Sequence, residues 1–257
     1  HGRRKVAWET PGNGRPREGK MYGRAILQNL LRTHPEHAAV HHYWIHAAEN
    51  GPRPEEALES AENLVKLAPN SGHMLHMPGH GYYRLGMYEK ARAAFLASLE
   101  FDLRYMRENN IHPINNWNYT HNLDYLVANC AEEGRYKEAE RYARMLAEIP
   151  SDAARLKSTG LGYMLYGGDT ALVRLRMRFG MWDEAAVELE SMKTGDAASL
   201  SAKYKAAILA YLKGMSAVEK GNADAANPQL DTLQKLSDEM AAARGASASD
   251  WYFGHAT

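Results

Sequence analysis

Histidine is the residue type in this chain that is most concentrated in one region. Of the 12 histidines among 257 residues, eight lie between His34 and His80. Imidazole nitrogen is a good ligand for zinc, copper and iron, and less so for magnesium or calcium. The uneven distribution therefore predicts a transition-metal site, with the identity of the metal open among copper, iron and zinc.

Two segments place histidines at intervals that share one face of an α-helix. The first segment contains His42, His46 and Glu49, at positions i, i+4 and i+7. The second has, at positions i, i+3 and i+7, His73, His76 and His80. A histidine pair one helical turn apart can chelate an ion, so two such stripes on neighbouring helices would converge on the groove between them.

A set of metal ligands follows from the stripes and from two further histidines. The predicted ligands are His42, His46, His76, His80, His121, His73 and His37. His121 opens a later helix and could reach the groove from a third side, whereas His37 lies more than a turn before His42 and is expected to play a supporting role. The alternative is that each histidine is separately satisfied within aromatic-rich packing.

Two carboxylates, Glu49 and Asp124, are the predicted catalytic groups that handle protons near the metal. For Glu49 three roles remain open: metal ligand, general base, or partner that orients a histidine.

Pro78 lies inside the second histidine segment and admits two interpretations. If the helix already runs through this position, Pro78 removes one helical hydrogen bond and frees the Met74 carbonyl, which could re-aim His76 and His80. If the helix starts late, Pro78 sits in its first turn, where proline is well tolerated.

A recurring pattern predicts the helices that would position these residues. It consists of a glycine, an aromatic residue two positions later, and an alanine three positions after that. The copies begin at Gly86, Gly134 and Gly180, and less regular turns occur at Asn50-Gly51 and Lys220-Gly221. This pattern is typical of tetratricopeptide repeats, in which glycine ends the first helix and the aromatic fills the space between paired helices. The prediction is an all-α, tetratricopeptide-like right-handed superhelix of about five helix pairs.

Composition divides the chain into three predicted parts. Residues 1–20, rich in Gly, Pro and Arg, are predicted to be an irregular arm, residues 21–244 the repeat domain, and residues 245–257 a C-terminal tail. The polar connection from Glu108 to Trp117 is predicted to line a binding face, because long loops on repeat scaffolds commonly do.

The charge balance and the cysteine content exclude several kinds of partner and site. Lys plus Arg and Asp plus Glu each total 31, so we expect no nucleic-acid binding. The single cysteine, Cys130, excludes an internal disulfide framework and a multi-thiolate zinc site. Because no apolar run approaches about 18 residues, no membrane span is expected.

The histidine segments also carry a resemblance to a known group of proteins. The chain resembles bacterial tetratricopeptide-repeat-like proteins in four segments. They are the HxxxHxxE motif ending at Glu49, the HxxHMPxH motif ending at His80, the pair His121-Asn122 and the segment from Arg178 to Glu184. The likeness spans Trp8 to about Leu189. The polar positions that the group shares match His37, His42, His46, Glu49, His73, His76, His80, His121 and Asn122.

The resemblance has one departure and two implications. Asp124 stands where such proteins usually have a second histidine, which puts a fully shared ligand set in doubt. Because members are typically longer at the N-terminus and often exported, the resemblance implies that this chain is the C-terminal part of a larger, exported protein. It implies no reaction.

Two functions from different classes fit the sequence. The first is a metalloenzyme, an oxidoreductase or a hydrolase, that activates dioxygen or water in the concave groove for a small-molecule or peptide substrate. The alternative is a non-catalytic repeat scaffold that binds a peptide, a protein partner or the missing N-terminal portion, with a structural metal or none. An open coordination position would favour catalysis, and a saturated site would favour the scaffold.

Overall fold

A computed structural model describes residues 18–49, 51–149, 168–192 and 200–244, and within these ranges it contains eleven α-helices and no strand. In chain order they are α1 (Glu18–Thr33), α2 (Ala38–Glu49), α3 (Leu58–Leu67), α4 (Gly72–Arg84), α5 (Tyr88–Glu108), α6 (Trp117–Glu132), α7 (Tyr136–Ala147), α8 (Ala171–Arg178), α9 (Trp182–Ser191), α10 (Leu200–Glu219) and α11 (Ala223–Arg244). Short 3-10 turns cover Pro54–Ala57, Pro113–Asn115 and Gly168–Thr170. The predicted all-α fold is confirmed for these ranges.

Glycines in the left-handed region form the predicted turns between helices. Gly86, Gly134, Gly180 and Gly221 have φ angles of 73, 71, 70 and 72°. A residue with a Cβ adopts this conformation only at a cost, so glycine is the natural choice just after a helix. Of the predicted turn at Asn50-Gly51, only Gly51 lies within the described residues.

The described residues form two compact units that divide between Ala139 and Glu140. In the second unit α8 packs on α9, α9 on α10, and α10 on α11. Its core includes the buried side chains of Val173, Leu189 and Leu212.

In the first unit each helix from α1 to α5 packs against the next one along the chain. In addition, α2 contacts α4 and α4 contacts α6. A core of Ile45, Leu64 and Met77 holds α2, α3 and α4 together. The three helices that carry the predicted ligands are therefore neighbours, as the sequence led us to expect.

Helix α4 runs through Pro78 without interruption. It begins at Gly72, where the Ser71 hydroxyl accepts a hydrogen bond from the Met74 N–H as an N-cap. Pro78 is thus an interior residue, and the interpretation that the helix starts late is wrong. His76 and His80 lie two residues before and two residues after Pro78, which has no N–H to donate to the Met74 carbonyl.

Gly79 lets α5 approach α4 very closely. A Cβ at this position would overlap the ring of Phe95, which is fully buried. The Phe95 ring in turn packs against His76, with ring centroids 4.8 Å apart. Glycine next to Pro78 is therefore explained by packing.

The predicted ends of the chain lie mostly outside the described residues. Helix α1 begins at Glu18, within the predicted arm, and residues 1–17 and 245–257 are not among those described. Among the helices of the described ranges, none is both long enough and apolar enough to cross a membrane.

Candidate metal centre

Six of the predicted ligands form two compact groups in the first unit. The outer group consists of His42, His46 and His73, and the inner group of His76, His80 and His121. In each group three ligand nitrogens lie within 4.8 Å of one another. His46 is exposed, whereas His76 and His80 are buried, so the names refer to accessibility.

The two groups adjoin each other. Within them, ring centroids are 4.8 Å apart for His42 and His46 and 4.7 Å apart for His76 and His80. Across them, the His46 and His80 centroids are 5.6 Å apart. Both stripes foreseen on α2 and α4 thus meet, and His121 joins them from α6.

Glu49 connects one histidine of each group. Its Oε1 lies 3.0 Å from Nδ1 of His46, and its Oε2 lies 2.6 Å from Nδ1 of His80. Burial alone would raise the pKa of Glu49, but the hydrogen bonds from the two histidines outweigh it and hold the pKa down at about 2. Glu49 is therefore an ionised acceptor that orients two imidazoles, one of the three roles considered for it.

Asn122 fixes the orientation of His76. Its amide N–H donates to the backbone carbonyl of Phe95 at 2.8 Å, so its Oδ1 must face His76, whose Nδ1 lies 2.7 Å away. A carbonyl oxygen only accepts, and His76 consequently carries its hydrogen on Nδ1.

Asn118 fixes the orientation of His73. Its amide donates to the Asp102 carboxylate at 2.7 Å, and its Oδ1 lies 3.1 Å from Nδ1 of His73. Four of the six rings, those of His46, His73, His76 and His80, thus have Nδ1 against an oxygen acceptor and keep Nε2 for another partner. Metal-binding histidines in proteins typically show this arrangement.

The closest nitrogen pair of the inner group requires a positive charge between its members. Nε2 of His76 and Nε2 of His80 are 2.9 Å apart. Because both rings place their hydrogen on Nδ1, two lone pairs face each other if both rings are neutral. A proton on one Nε2, or a metal ion that both bind, resolves this repulsion.

The pKa values of several cluster histidines disfavour the protonated form. Burial lowers the pKa of His76 well below its ordinary value of 6.5, and neighbouring His80 lowers it further. Burial followed by neighbouring histidines also lowers the pKa of His42 and of His121 to about 4. At neutral pH these rings are lone-pair donors, the form that metals bind.

The outer group opens to solvent beside two exposed aromatic residues. Trp117, which is 58% exposed, lies 5.1 Å from the ring of His73 and 5.4 Å from that of His121. Tyr43, which is 59% exposed, lies 5.1 Å from His42. The predicted binding loop ends at Trp117, so this end of the loop does reach the cluster.

Two residues of the predicted site lie outside both groups. His37 is exposed just before α2 begins, and Asp124 is half-buried on α6.

Tyr125 adjoins the inner group, since its hydroxyl lies 3.2 Å from Nδ1 of His80. Burial and the charges of Glu49 and Asp124 raise the pKa of Tyr125.

Sequence reasoning did not single out three residues that support the cluster. They are Asn118, Asp102 and Tyr125. A usable signal existed, since Asn118, Asn122 and Tyr125 recur at i, i+4 and i+7 on the helix that carries His121.

Two further residues with metal-binding side chains, His41 and Cys130, have structural roles. His41 is buried and lies within hydrogen-bond distance of the Ser60 hydroxyl, at 3.0 Å, and of the Pro35 carbonyl, at 2.7 Å. Burial raises the pKa of the Cys130 thiol to about 11, which keeps it protonated and unreactive. Both side chains therefore belong to the packed interior of the protein.

Comparison with models of known protein families and with curated proteins gives no match for this chain.

Proposed function

We propose that this chain is a transition-metal protein, and that a metal held by the histidine cluster activates water or dioxygen. The single observation that carries the proposal is the inner nitrogen pair, His76 and His80. Their Nε2 atoms face each other at 2.9 Å, while Nδ1 of His76 lies 2.7 Å from Asn122 and Nδ1 of His80 lies 2.6 Å from Glu49. Two nitrogens bound to one tetrahedral zinc at about 2.0 Å would be about 3.3 Å apart, close to this spacing. His121 supplies a third nitrogen to the same group.

The scaffold that fits this proposal is a tetratricopeptide-like superhelix. Its support is the positive φ at four turn glycines and the contacts of α2 with α4 and of α4 with α6. In such repeats the first helices of successive pairs lie side by side. The ligands then all belong to first helices.

The chain's own residues would bind and orient the metal. Imidazole Nε2 atoms are the ligands, while Glu49, Asn118 and Asn122 fix the rings through Nδ1. Bound there, a copper, iron or zinc ion supplies a Lewis acid or a redox centre. Three protein ligands per group leave a position for water or substrate, which is characteristic of catalytic sites.

The test begins with protein purified without a nickel column. We expect bound copper, iron or zinc, and after copper or cobalt reconstitution we expect azide to shift the visible spectrum by entering the open position. A spectrum that azide leaves unchanged would favour the scaffold with a saturated structural metal. No metal uptake from zinc, copper or iron would contradict the proposal.

Substitution identifies the ligands. His46→Ala and His80→Ala should both lower metal content while helicity, measured by circular dichroism, stays nearly the same. His34→Ala is the matched control, because His34 is exposed, belongs to neither group, and has Nδ1 2.8 Å from the Thr33 hydroxyl. Full metal content in both site variants would refute these ligands.

A further inference from the structure

The cluster contains six imidazoles, two more than a tetrahedral zinc ion takes, and they are divided evenly between two groups. We propose that the chain binds two ions at once: an inner ion at His76, His80 and His121 and an outer ion at His42, His46 and His73. This inference rests on the proposed metal-binding function and specifies its stoichiometry.

The spacing of the rings favours two ions over one. Ligands on opposite sides of one ion, each bound at about 2.1 Å, can be no more than about 4.2 Å apart. Within each group of three histidines, the ligand atoms lie close enough together to bind one ion after small side-chain movements. The six histidines together do not form one such group.

Glu49 is placed to link the two ions electrostatically. One of its oxygens holds His46 of the outer group and the other holds His80 of the inner group. A single buried anion thus offsets positive charge on both sides and raises the basicity of one ligand of each ion. Two cations brought this close would otherwise repel each other strongly.

The two sites differ in what they require when empty. In the inner group, Nδ1 of both rings of the closest pair faces an oxygen acceptor, so the two Nε2 atoms repel each other unless one carries a proton or both bind a cation. In the outer group, Nε2 of His42 lies 3.0 Å from Nε2 of His73, and His42 can satisfy this contact by carrying its hydrogen on Nε2. The inner ion is therefore bound more tightly, and the outer ion, next to solvent, exchanges first.

The test counts ions in the full chain after metal removal and titration with cobalt or copper. We expect two equivalents per chain, and one equivalent in each of two variants, His42→Ala for the outer ion and His121→Ala for the inner. Both substitutions leave the anchors Glu49, Asn118 and Asn122 in place. His34→Ala should keep two, and circular dichroism checks that each variant is folded.

Each outcome bears on one hypothesis. Two ions in the unmodified chain and one in each variant support the inference, as does brief chelator treatment that removes one ion from the unmodified chain and the remaining ion from His121→Ala. One ion in the unmodified chain, lost in both variants, overturns the two-ion inference and leaves the proposed function standing. No ion at all overturns both. Two ions retained in either variant refute the assignment of the groups.

Discussion

For four of the six cluster histidines, an oxygen acceptor at Nδ1 favours one tautomer; these are His46, His73, His76 and His80. Glu49 and Asn122 are buried, and the Asn122 amide is held by the Phe95 carbonyl. An imidazole with its hydrogen pinned on Nδ1 has only Nε2 to offer. The direction of each ligand is thereby determined before any ion arrives, which reduces the ordering cost of binding.

Removing one such acceptor should weaken metal binding without removing a ligand. Asn122→Leu leaves His76 free to place its hydrogen on Nε2 and to rotate, and we expect the affinity of the inner ion to fall roughly 10- to 100-fold. Competition with a chelator of known affinity measures this. Asn122→Asp is the comparison variant: it still accepts from Nδ1 of His76 but loses the donor to the Phe95 carbonyl, and it should retain more of the affinity than Asn122→Leu. Equal losses in the two variants would mean that Asn122 acts only through packing.

Protonation should destabilise the metal-free protein in mildly acidic solution. The pKa values of His42 and His121 are about 4 in the folded chain against 6.5 ordinarily. Between these values the unfolded chain binds more protons, so the free energy of unfolding is undiminished above pH 6.5 and falls as the pH falls toward 4. Glu49, with a pKa of about 2 against 4.5, adds its own loss only below pH 4.5.

Thermal unfolding of metal-free protein between pH 7 and pH 4.5 measures this effect. We expect the transition temperature to fall as the pH drops below about 6.5, and to fall less in a variant with both His42→Ala and His121→Ala. A transition temperature that stays constant would mean that these rings take up protons as readily in the folded chain as in the unfolded one.

At the scale of the helices, the close approach of α4 and α5 depends on Gly79. Alanine usually stabilises a helix relative to glycine. At this position its Cβ would overlap the buried Phe95 ring, and we expect Gly79→Ala to lower the free energy of unfolding by about 1–3 kcal/mol. Metal content should fall too, because Phe95 packs on His76.

Gly81, two residues further along the same helix, provides the matched control. A Cβ there would lie 3.7 Å from the Cβ of Ala57, an ordinary contact. We expect Gly81→Ala to be neutral or to stabilise the protein by about 0.5–1 kcal/mol, as measured by denaturant unfolding. If both alanine variants gain stability, the α4–α5 contact is looser than described.

The helices and the histidine stripes were predictable because both depend on local periodicity. Gly86 and Gly134 indicated where one helix ends and the next begins. His42 and His46 lie one helical turn apart in any α-helix. Glu49 illustrates what was not predictable. Its contact with His46 is local, but its contact with His80 depends on how α2 packs against α4, a distance that no sequence interval determines. The partnership of Asn118 with His73 likewise crosses from α6 to α4.

For the molecule as a whole, the balance of charge predicts a lack of affinity for nucleic acid. The chain has 31 basic and 31 acidic side chains, so it gains little from displacing counterions. We expect no measurable binding to duplex DNA or to RNA at physiological ionic strength, whether or not metal is present. Salt-sensitive binding in an electrophoretic or anisotropy assay would contradict this.

The site also belongs to one part of the molecule. All six clustered histidines, Glu49 and both supporting asparagines lie in the unit that ends at Ala139. Metal loading should therefore raise the thermal stability of this unit by mass action, since an ion that binds the folded form shifts the unfolding equilibrium.

The exposed indole of Trp117 gives the cluster an optical reporter of its own. Its ring stands within 5.4 Å of a histidine from each group, whereas Trp44 is buried with its N–H donating to the Glu56 carbonyl. Copper(II) bound at either group would quench the fluorescence of Trp117 at such short range. The quenched fraction should vanish in Trp117→Phe, so the filling of the cluster can be followed in real time in the unlabelled protein.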